Sequence, residues 1–381
     1  MQYRNFGKLQ FPVSTFGVGC MRFPTMQTSE GKEKVDEQEA IKMIRYAIDH
    51  GVNYIDTAYF YHGGESEIIV GKALQDGYRE KVSLVTKCPV WDVEKYADFE
   101  RFLDEQLEKL QVDYLDFYLM HALDKNRWEK IKALGFEKFY EEAIQKGKIK
   151  YRGFSFHDEL SVFRSILDEY DRWDMCQIQL NILDHQYQAG VEGLRYAGLK
   201  GIPVVIMEPL KGGKLAQKIP ADIEAIWEES RTKRSPVEWA FRWLYNFSEV
   251  AVILSGVSNM EQLQDNIKIF QEAPAQCMTK EEIKLVDRVR EQYESKIKVG
   301  CTKCEYCIPC PAGVRIPNIF DLYNQSSMYG SSKEYAMSYQ RMMEKNEDAT
   351  QCVQCGQCEN ACPQHLPIIQ TLQEAHKVLT E

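Results

Sequence analysis

The sequence predicts an α/β protein with two parts, an eight-fold β/α (TIM) barrel and a small, mainly helical C-terminal domain. Eight strand-like runs alternate with helical patterns from Val13 to about Phe270, which fits the roughly 250 residues of such a barrel. A doubly wound sheet is the competing layout, but no Gly-x-Gly-x-x-Gly turn follows any predicted strand. Eight of the twelve cysteines lie between Cys301 and Cys362, which indicates a separate metal-binding domain.

Short apolar runs rich in β-branched and aromatic residues predict the strands, and apolar residues three or four apart predict the helices. The predicted strands are residues 13–18, 52–56, 82–86, 114–120, 149–154, 175–180, 203–207 and 250–254. The predicted helices are residues 36–50, 66–75, 97–110, 126–146 with an interruption at Gly135, 159–170, 191–199, 236–245 and 280–293. This regular alternation predicts a parallel barrel.

The composition is that of an ordinary globular protein of 381 residues, 44% of them hydrophobic and 27% charged. No run approaches the roughly eighteen apolar residues of a membrane span, and the first residues lack the apolar stretch of a signal peptide. The net charge of −10 is spread along the chain, without a basic stretch interleaved with aromatics. We therefore expect a cytoplasmic protein that binds neither membranes nor nucleic acid, in which cysteines bind metal rather than form disulfides.

Four polar residues fall at or just after the predicted C-terminal ends of strands: Asp56, Tyr61, Lys87 and His121. Barrel enzymes place their chemistry on the loops at these ends. A phenol, with an ordinary pKa of about 10, is a reluctant proton donor unless a neighbouring cation lowers its pKa, and Lys87 is the candidate cation for Tyr61. Asp56 would hold Lys87, and His121 would orient a carbonyl oxygen. Each residue alone has an ordinary structural interpretation, so the hypothesis depends on all four.

In order and spacing, these residues resemble the catalytic tetrad of the aldo/keto reductases. Asp56 opens an Asp-Thr-Ala motif with Tyr61 five residues later, Lys87 follows a threonine, and His121 ends its strand. The similarity covers about residues 3–270, including Gly-Phe-Ser at 153–155 and Ser-Gly-Val-Ser at 255–258. The resemblance implies that Tyr61 is the general acid and that Lys87 and Asp56 tune it. It also implies that His121 positions a small carbonyl or alcohol substrate.

The same resemblance implies a nicotinamide cofactor, NADP(H) or NAD(H). Ser155 and Gln177 would hold its carboxamide. The residues that would flank the adenosine phosphate are Gly256, Ser258, Gln262, Asp265 and Asn266. Backbone amides at the start of the helix after Ser258 suit an anion in any case. The family often has a basic residue after Ser258, where this chain has Asn259, so we predict weak discrimination between NADPH and NADH.

The cysteines of the C-terminal part form two runs. The first is Cys301, Cys304, Cys307 and Cys310, and the second is Cys352, Cys355, Cys358 and Cys362, which follows the C-x2-C-x2-C-x3-C-P pattern of bacterial ferredoxins. Two runs predict two [4Fe-4S] clusters, each taking three cysteines from one run and the fourth from the other. One cluster would use Cys301, Cys304, Cys307 and Cys362, and the other Cys352, Cys355, Cys358 and Cys310. Structural zinc is the alternative, although its C-x2-C pairs are usually not tripled.

The whole chain resembles the branch of the aldo/keto reductases that is fused to a C-terminal ferredoxin-type 4Fe-4S domain. Apolar residues at helical spacing between the two cysteine runs favour a helix-rich form of this domain. We predict the barrel over residues 1–278, a connecting helix within 279–297 and the iron–sulfur domain over 298–381.

The leading hypothesis is an oxidoreductase that exchanges hydride at the barrel and single electrons through the clusters, with a redox protein as a further partner. Hydride carries two electrons and a cluster exchanges one, so direct coupling normally needs a flavin or a radical-tolerant substrate. One alternative is an electron-transfer or redox-sensing protein with an idle barrel site. The other is an active barrel with purely structural clusters. Steady NAD(P)H-dependent carbonyl reduction would separate the leading hypothesis from the first alternative.

Overall fold

The structure, a computed structural model, describes residues 1–27, 33–216, 219–330 and 333–381. It divides into two compact units. The barrel unit consists of Met1–Gly213 and Val237–Thr279, and the cysteine unit consists of Lys214–Pro236 and Lys280–Glu381.

The strands of the barrel unit are those that the alternating pattern predicts, with additional short hairpins. They are β1 (Tyr3–Asn5), β2 (Pro12–Ser14), β3 (Phe16–Gly19), β4 (Thr25–Gln27), β5 (Glu33–Val35), β6 (Tyr54–Asp56), β7 (Ser83–Cys88), β8 (Leu115–Leu123), β9 (Ile149–Phe156), β10 (Met175–Gln179), β11 (Val204–Met207) and β12 (Val250–Ser255). Strand β3 and strands β6 to β12 form a closed barrel of parallel neighbours, and β12 pairs with β3 to close it. The predicted eight-fold barrel is therefore confirmed.

Helices connect these strands and build most of the cysteine unit. They are α1 (Glu37–Asp49), α2 (Glu65–Ala73), α3 (Tyr96–Leu110), α4 (Lys125–Ala133), α5 (Phe136–Gln145), α6 (Leu160–Glu169), α7 (Gly190–Leu199), α8 (Ala221–Glu228), α9 (Pro236–Tyr245), α10 (Met260–Gln271), α11 (Lys280–Glu294), α12 (Ile316–Tyr329), α13 (Lys333–Glu344), α14 (Gln357–Ala361) and α15 (Ile368–Thr380). The predicted interruption at Gly135 separates α4 from α5, because Gly135 has a φ of 81°. Within the described ranges, no helix is long and apolar enough to cross a membrane.

The largest departures from the predicted strands occur at two places. The apolar run 13–18 is not one strand, because the chain changes its pairing partner at Thr15: the Thr15 N–H donates to the Gln2 carbonyl beside β1, and the Thr15 carbonyl accepts from the Ile253 N–H on β12. Strand β2 pairs antiparallel with β1, whereas β3 enters the barrel between β12 and β6. Strand β8 also continues beyond its predicted end, so that His121 lies inside the strand. An apolar pattern reports burial but not the change of pairing partner, so it could not locate these boundaries.

Apolar side chains pack together in the interior of the barrel unit. Aromatic rings lie among them: Phe6 stacks on Phe11 with centroids 5.3 Å apart, and the tilted Phe117 ring has its centroid 5.0 Å from that of Phe6. The buried cluster is Phe6, Val13, Tyr54, Val85, Phe117, Leu119, Met175, Val205, Ala251, Val252 and Leu254. A barrel packed in this way has no pore, so chemistry is confined to its mouth.

The cysteine unit has an apolar core of its own. It comprises Val299, Val314, Ile316, Ile319, Phe320, Tyr323, Tyr335, Tyr339, Ala349, Cys362, Ile368, Leu372, Ala375 and Leu379. Most of these residues lie on α12, α13 and α15, and partly buried cysteines of both runs pack against them. The core thus holds the two cysteine runs next to one another, in the mainly helical domain that the sequence predicts.

Candidate active site and cysteine clusters

A tight turn directly after β6 delivers Tyr61 to the barrel mouth. The residues that follow Tyr61 all have positive φ, at 53° for His62, 65° for Gly63 and 95° for Gly64. Two of these three positions are glycines, which adopt this conformation at no steric cost. His62 is held there by its ring, because its Nε2 accepts a hydrogen bond from the Phe23 N–H at 3.0 Å. The turn therefore fixes the direction of the tyrosine between β6 and α2.

Lys87 lies in the wall of the barrel and joins two of the predicted site residues. Its Nζ donates to Asp56 Oδ1 at 2.7 Å, to the Thr57 carbonyl at 2.7 Å and to the Tyr61 hydroxyl at 3.4 Å. Lys87 is completely buried and Asp56 is 2% exposed. A buried ammonium is tolerated only when its protons are bonded, and these three acceptors meet that requirement. Burial, the largest single influence, would lower the pKa of Lys87, but the charges and hydrogen bonds of Asp56 and Tyr61 together outweigh it and raise that pKa.

The pKa of Tyr61 lies above its ordinary value, mainly because burial disfavours the phenolate. Lys87 lowers this pKa, as the sequence predicts, but its effect is smaller than that of burial. Tyr61 therefore carries its proton at neutral pH, which is the state that a general acid requires. The burial that outweighs Lys87 could not be predicted, because the sequence alone does not show how deeply the phenol is buried.

A local irregularity in β8 turns His121 into the mouth. The pairing of β8 with β9 shifts register between Met120 and Leu123, and Ala122 has a φ of 53°. The His121 ring lies edge-on to the Tyr61 ring, with centroids 6.2 Å apart. Its Nδ1 is buried without a hydrogen-bond partner among the described residues. Burial, followed by the charge of Lys87, holds the pKa of His121 well below 6.5, so the imidazole is neutral and can donate a single N–H.

Aromatic side chains continue from His121 toward solvent. The Trp91 ring centroid lies 5.1 Å from that of His121 and 5.7 Å from that of Phe60. Phe60 is 46% exposed and Trp91 is 36% exposed. Arg127 lies beside this wall, with its guanidinium carbon 5.4 Å from the Trp91 centroid. An exposed aromatic row that leads to buried polar groups is typical of a small-molecule site.

The two residues predicted to hold a carboxamide lie on neighbouring strands of the mouth. Ser155 on β9 pairs in register with Gln177 on β10, and both are 1% exposed. Ser155 Oγ accepts from the Ala122 N–H at 2.7 Å and keeps its own proton for a further acceptor. Gln177 Oε1 is buried without a hydrogen-bond partner in the described part of the chain. Such an unpaired acceptor is costly unless a ligand N–H reaches it, and a carboxamide would supply one.

The residues predicted to flank the adenosine phosphate gather around the start of α10. Gln262 Oε1 accepts from the Ser258 N–H at 3.0 Å, and the Gln262 N–H donates to Asn259 Oδ1 at 2.9 Å. Asn266 is buried and donates to Ser255 Oγ at 3.2 Å, whereas Asp265 and Gly256 are exposed. Asn259 is thus the N-cap of α10. Two of the amides expected to bind an anion are already paired within the chain.

Arg22 is a cation near this region that the sequence analysis missed. A Cβ built on Gly256 would lie 3.2 Å from the Arg22 Cβ, and one built on Gly212 would lie 3.4 Å from an Arg22 guanidinium nitrogen. Arg22 follows β3 by three residues and is exposed. A basic residue just after a barrel strand was the signal that could have identified it. Gly212 and Gly256 therefore leave room for the arginine side chain.

The cysteine unit brings the two runs together around two cavities. Cys301, Cys304, Cys307 and Cys362 line one cavity. Cys307, Cys310, Cys352, Cys355 and Cys358 line the other. Each cavity therefore receives cysteines from both runs, and each includes one of the two predicted crossed ligand sets. The donors at both cavities are thiols, which fit iron–sulfur clusters.

These cysteines differ in their exposure. Cys304 and Cys355 are exposed and Cys362 is buried, while the remaining members of the runs are half-buried. No three Cys, His, Asp or Glu side chains within the described ranges converge closely enough to hold a single metal ion. Outside the runs, Cys20, Cys88 and Cys176 are buried in the barrel unit, as small apolar residues would be.

Comparisons with known proteins identify the class to which this barrel and its appended domain belong. Residues 17–291 match the aldo/keto reductase family, and residues 300–366 match the 4Fe-4S dicluster domain. The first match spans well over half of the chain. The chain therefore belongs to the aldo/keto reductase family, a family of oxidoreductases, and carries a 4Fe-4S domain after its barrel.

Individual relatives agree with this assignment. The oxidoreductase YqkF of Bacillus subtilis (strain 168) is 29% identical over 328 residues, which are 77% of this chain and 97% of the relative. Aldo-keto reductase AKR11C1 from Bacillus halodurans, in its holo form, has a TM-score of 0.61 and 27% identity, covering 76% of this chain and 96% of that one. An aldo/keto reductase from Klebsiella pneumoniae, in complex with NADP and acetate, has a TM-score of 0.59 and 23% identity, covering 76% of this chain and 95% of that one. At this level of identity, the similarity supports only a shared fold.

Proposed function

We propose that this protein reduces small carbonyl compounds to alcohols with NADPH or NADH and uses Tyr61 as the general acid. The observation that carries the proposal is the buried contact of Lys87 with both Asp56 and Tyr61, at 2.7 Å and 3.4 Å. A phenol that is protonated at neutral pH, and whose phenolate would lie next to an ammonium, is suited to donate a proton to a developing alkoxide. When bound, the reduced nicotinamide supplies the hydride.

The chain's own residues then perform the proton transfer. The neutral His121 donates a hydrogen bond to the carbonyl oxygen and directs it toward Tyr61. Tyr61 gives up its hydroxyl proton to that oxygen as the C–H bond forms, so that the carbonyl becomes an alcohol and the tyrosine a phenolate. At 3.4 Å and an effective dielectric constant of about 20, Lys87 attracts this phenolate by about 5 kcal/mol. Asp56 keeps Lys87 in place and charged, and solvent later returns the proton to Tyr61.

The proposed cofactor site comprises Ser155 and Gln177 at the carboxamide, and Gly256, Ser258, Gln262, Asp265 and Asn266 near the adenosine phosphate. The unpaired Gln177 Oε1 supports the carboxamide contact. Arg22 adds a cation beside Gly256, where a phosphate would need one.

We also propose that the cysteine unit binds two [4Fe-4S] clusters through the crossed ligand sets. Cys301, Cys304, Cys307 and Cys362 would hold one cluster, and Cys352, Cys355, Cys358 and Cys310 the other. When bound, such clusters exchange single electrons, and a redox protein would be the partner for that exchange. The grouping of each set around one cavity supports this proposal.

The test of the catalytic proposal is the Tyr61→Phe variant, assayed with NADPH and a panel of small aldehydes and ketones. We expect carbonyl reduction to be lost while cofactor binding, measured by fluorescence titration, stays nearly unchanged. Tyr59→Phe is the matched control, because the Tyr59 hydroxyl donates to Glu105 and not to a site residue. Wild-type turnover in Tyr61→Phe would exclude Tyr61 as the acid. A wild-type protein that reduces no carbonyl but exchanges electrons would favour an idle barrel site.

A further inference from the structure

A buried network of four polar side chains lies directly outside the barrel wall, behind the tetrad. Its members are Glu67 on α2, Thr86 on β7, Gln106 on α3 and Tyr118 on β8. All four are completely buried. None of them belongs to the tetrad or to the proposed cofactor site. A buried carboxylate with three polar neighbours is costly to assemble, so its presence needs a physical reason.

Glu67 is the acceptor at the centre of this network. Its Oε1 accepts from Thr86 Oγ1 at 2.6 Å and from Gln106 Nε2 at 2.5 Å. Lys109 approaches its other oxygen at 3.6 Å. The approach of α2 to α3 makes these bonds possible, because a Cβ built on Gly71, one turn after Glu67, would lie 2.5 Å from the Leu110 carbonyl oxygen. Any larger residue at this glycine would push the two helices apart.

Gln106 extends the network to the strands that carry Lys87 and His121. Its Nε2 donates to the Lys87 carbonyl at 3.1 Å, and its Oε1 accepts from the Tyr118 hydroxyl at 2.7 Å. Tyr118 pairs in register with Thr86, the neighbour of Lys87, and precedes His121 by three residues on the same strand. Side chains alternate across a strand, so Thr86 points outward to the network while Lys87 points inward to the site.

The network therefore bonds α2 and α3 to β7 and β8, the strands that carry Lys87 and His121. Glu67 holds α2, the helix that directly follows the turn with Tyr61. Thr86 and Gln106 hold the end of β7 at Lys87. Tyr118 holds β8 three residues before His121. We propose that Glu67, Thr86, Gln106 and Tyr118 form a positioning network that sets the distances among Tyr61, Lys87 and His121. The inference rests on the proposed function, because it assumes that those three residues do the chemistry. Misplacement of a reacting group by about 1 Å can reduce a rate on the order of 10²-fold.

Two variants at Glu67 test the proposal. Glu67→Met removes the acceptor at nearly constant length, and we expect kcat for carbonyl reduction to fall on the order of 10²-fold with the cofactor Kd within about twofold. Glu67→Gln keeps an oxygen acceptor for Thr86 and Gln106, and we expect it to recover most of the loss. Tyr118→Phe removes one hydrogen bond without a change of shape, and it replaces Glu67→Met if that variant fails to fold.

The matched control is Asp116→Asn, at the opposite end of the same strands. Asp116 is also a buried carboxylate, accepts from the Leu84 N–H at 2.9 Å and pairs with Arg79 at 2.8 Å, far along β8 from His121. We expect it to lower the melting temperature and leave kcat unchanged. A general loss of stability would reduce kcat in both variants alike. Equal losses in Asp116→Asn and Glu67→Met, or a kcat of Glu67→Met within about twofold of wild type, would overturn the proposal.

A readout without turnover separates this proposal from the catalytic one. In protein with ¹³C-labelled lysine, the Lys87 signal is assigned by its loss in Lys87→Met and then compared among variants by NMR. We expect the signal to shift in Glu67→Met and Tyr118→Phe and to stay in place in Asp116→Asn. If the wild type reduces no carbonyl, the proposed function fails, and the Lys87 signal alone decides whether the network positions this residue. An unchanged signal in Glu67→Met and Tyr118→Phe would overturn the positioning role.

Discussion

Lys87 Nζ lies 2.7 Å from Asp56 Oδ1 in a position from which water is almost excluded. Two buried charges that satisfy each other stabilise a fold little, but either one alone is strongly unfavourable. This ion pair therefore ties stability and the proposed catalysis to the same two residues.

Lys87→Met should leave the Asp56 carboxyl group buried and without its partner. We expect a loss of about 3 to 5 kcal/mol in the free energy of unfolding and loss of carbonyl reduction, measured by chemical denaturation and steady-state kinetics. The double variant Asp56→Asn with Lys87→Met should recover part of the stability and none of the activity, because it removes the unpaired carboxyl group but does not restore a cation beside Tyr61. Two single losses that simply add in the double variant would show that the pair is not coupled.

The pH dependence of the reaction should follow the raised pKa of Tyr61. Reduction needs the protonated phenol, and burial raises its pKa, so the acid form persists to a higher pH than in a free tyrosine. We expect kcat for reduction to stay flat up to about pH 9 and to fall only above it. Alcohol oxidation needs the phenolate and should rise over the same range. A fall in reduction below about pH 8 would contradict this direction.

The ionisation of His121 should not affect the pH dependence of kcat near neutral pH. Burial and the charge of Lys87 hold its pKa well below 6.5, so the ring is already neutral there. We expect His121→Gln, which keeps an N–H donor, to retain more activity than His121→Leu, with matching profiles between about pH 7 and 9. Equal activities of the two variants would mean that this hydrogen bond does not position the substrate.

Asn259 should permit both forms of the cofactor. We expect the ratio of kcat/KM for NADPH over NADH to stay below about 10³, because a larger ratio needs several kcal/mol of specific contact. Asn259→Arg should raise this ratio by adding a cation near the 2′-phosphate. Asn259 also caps α10, so Asn259→Ser, which preserves a capping oxygen, is the control. A wild-type ratio above this limit would mean that residues other than Asn259 recognise the 2′-phosphate. Arg22 would then be the first residue to test by substitution.

Anaerobically prepared protein should contain about eight irons and eight acid-labile sulfides per chain, no zinc, and an absorption near about 400 nm that bleaches on reduction. Because Cys362 and Cys310 would each serve the cluster of the other run, replacing either by Ala should reduce iron content and disturb the neighbouring cluster. The far-ultraviolet signal of the barrel should largely remain, since the barrel has its own core. Cys277→Ala, outside both runs, is the control. Full iron in Cys362→Ala, or only four irons in the wild type, would refute the crossed assignment.

Much of this molecule follows from local sequence patterns. The alternation of apolar runs predicted the parallel barrel, because strand and helix periods are properties of neighbouring residues. Asp56, Tyr61, Lys87 and His121 could be grouped in advance because strands in a parallel barrel all end at one face. The cysteine runs predicted an iron–sulfur domain because ligand spacing is itself a local feature.

The tertiary structure alone decided how these groups act on one another. The degree of burial, which no local pattern reports, raises the pKa of Tyr61 despite Lys87. The register shift that turns His121 inward depends on pairing between β8 and β9. Glu67 and Gln106, 39 residues apart, looked like ordinary helix residues until the close approach of α2 and α3 buried them together. Burial and long-range pairing depend on the whole fold, and they determine the charge state and position of groups that the sequence could only identify.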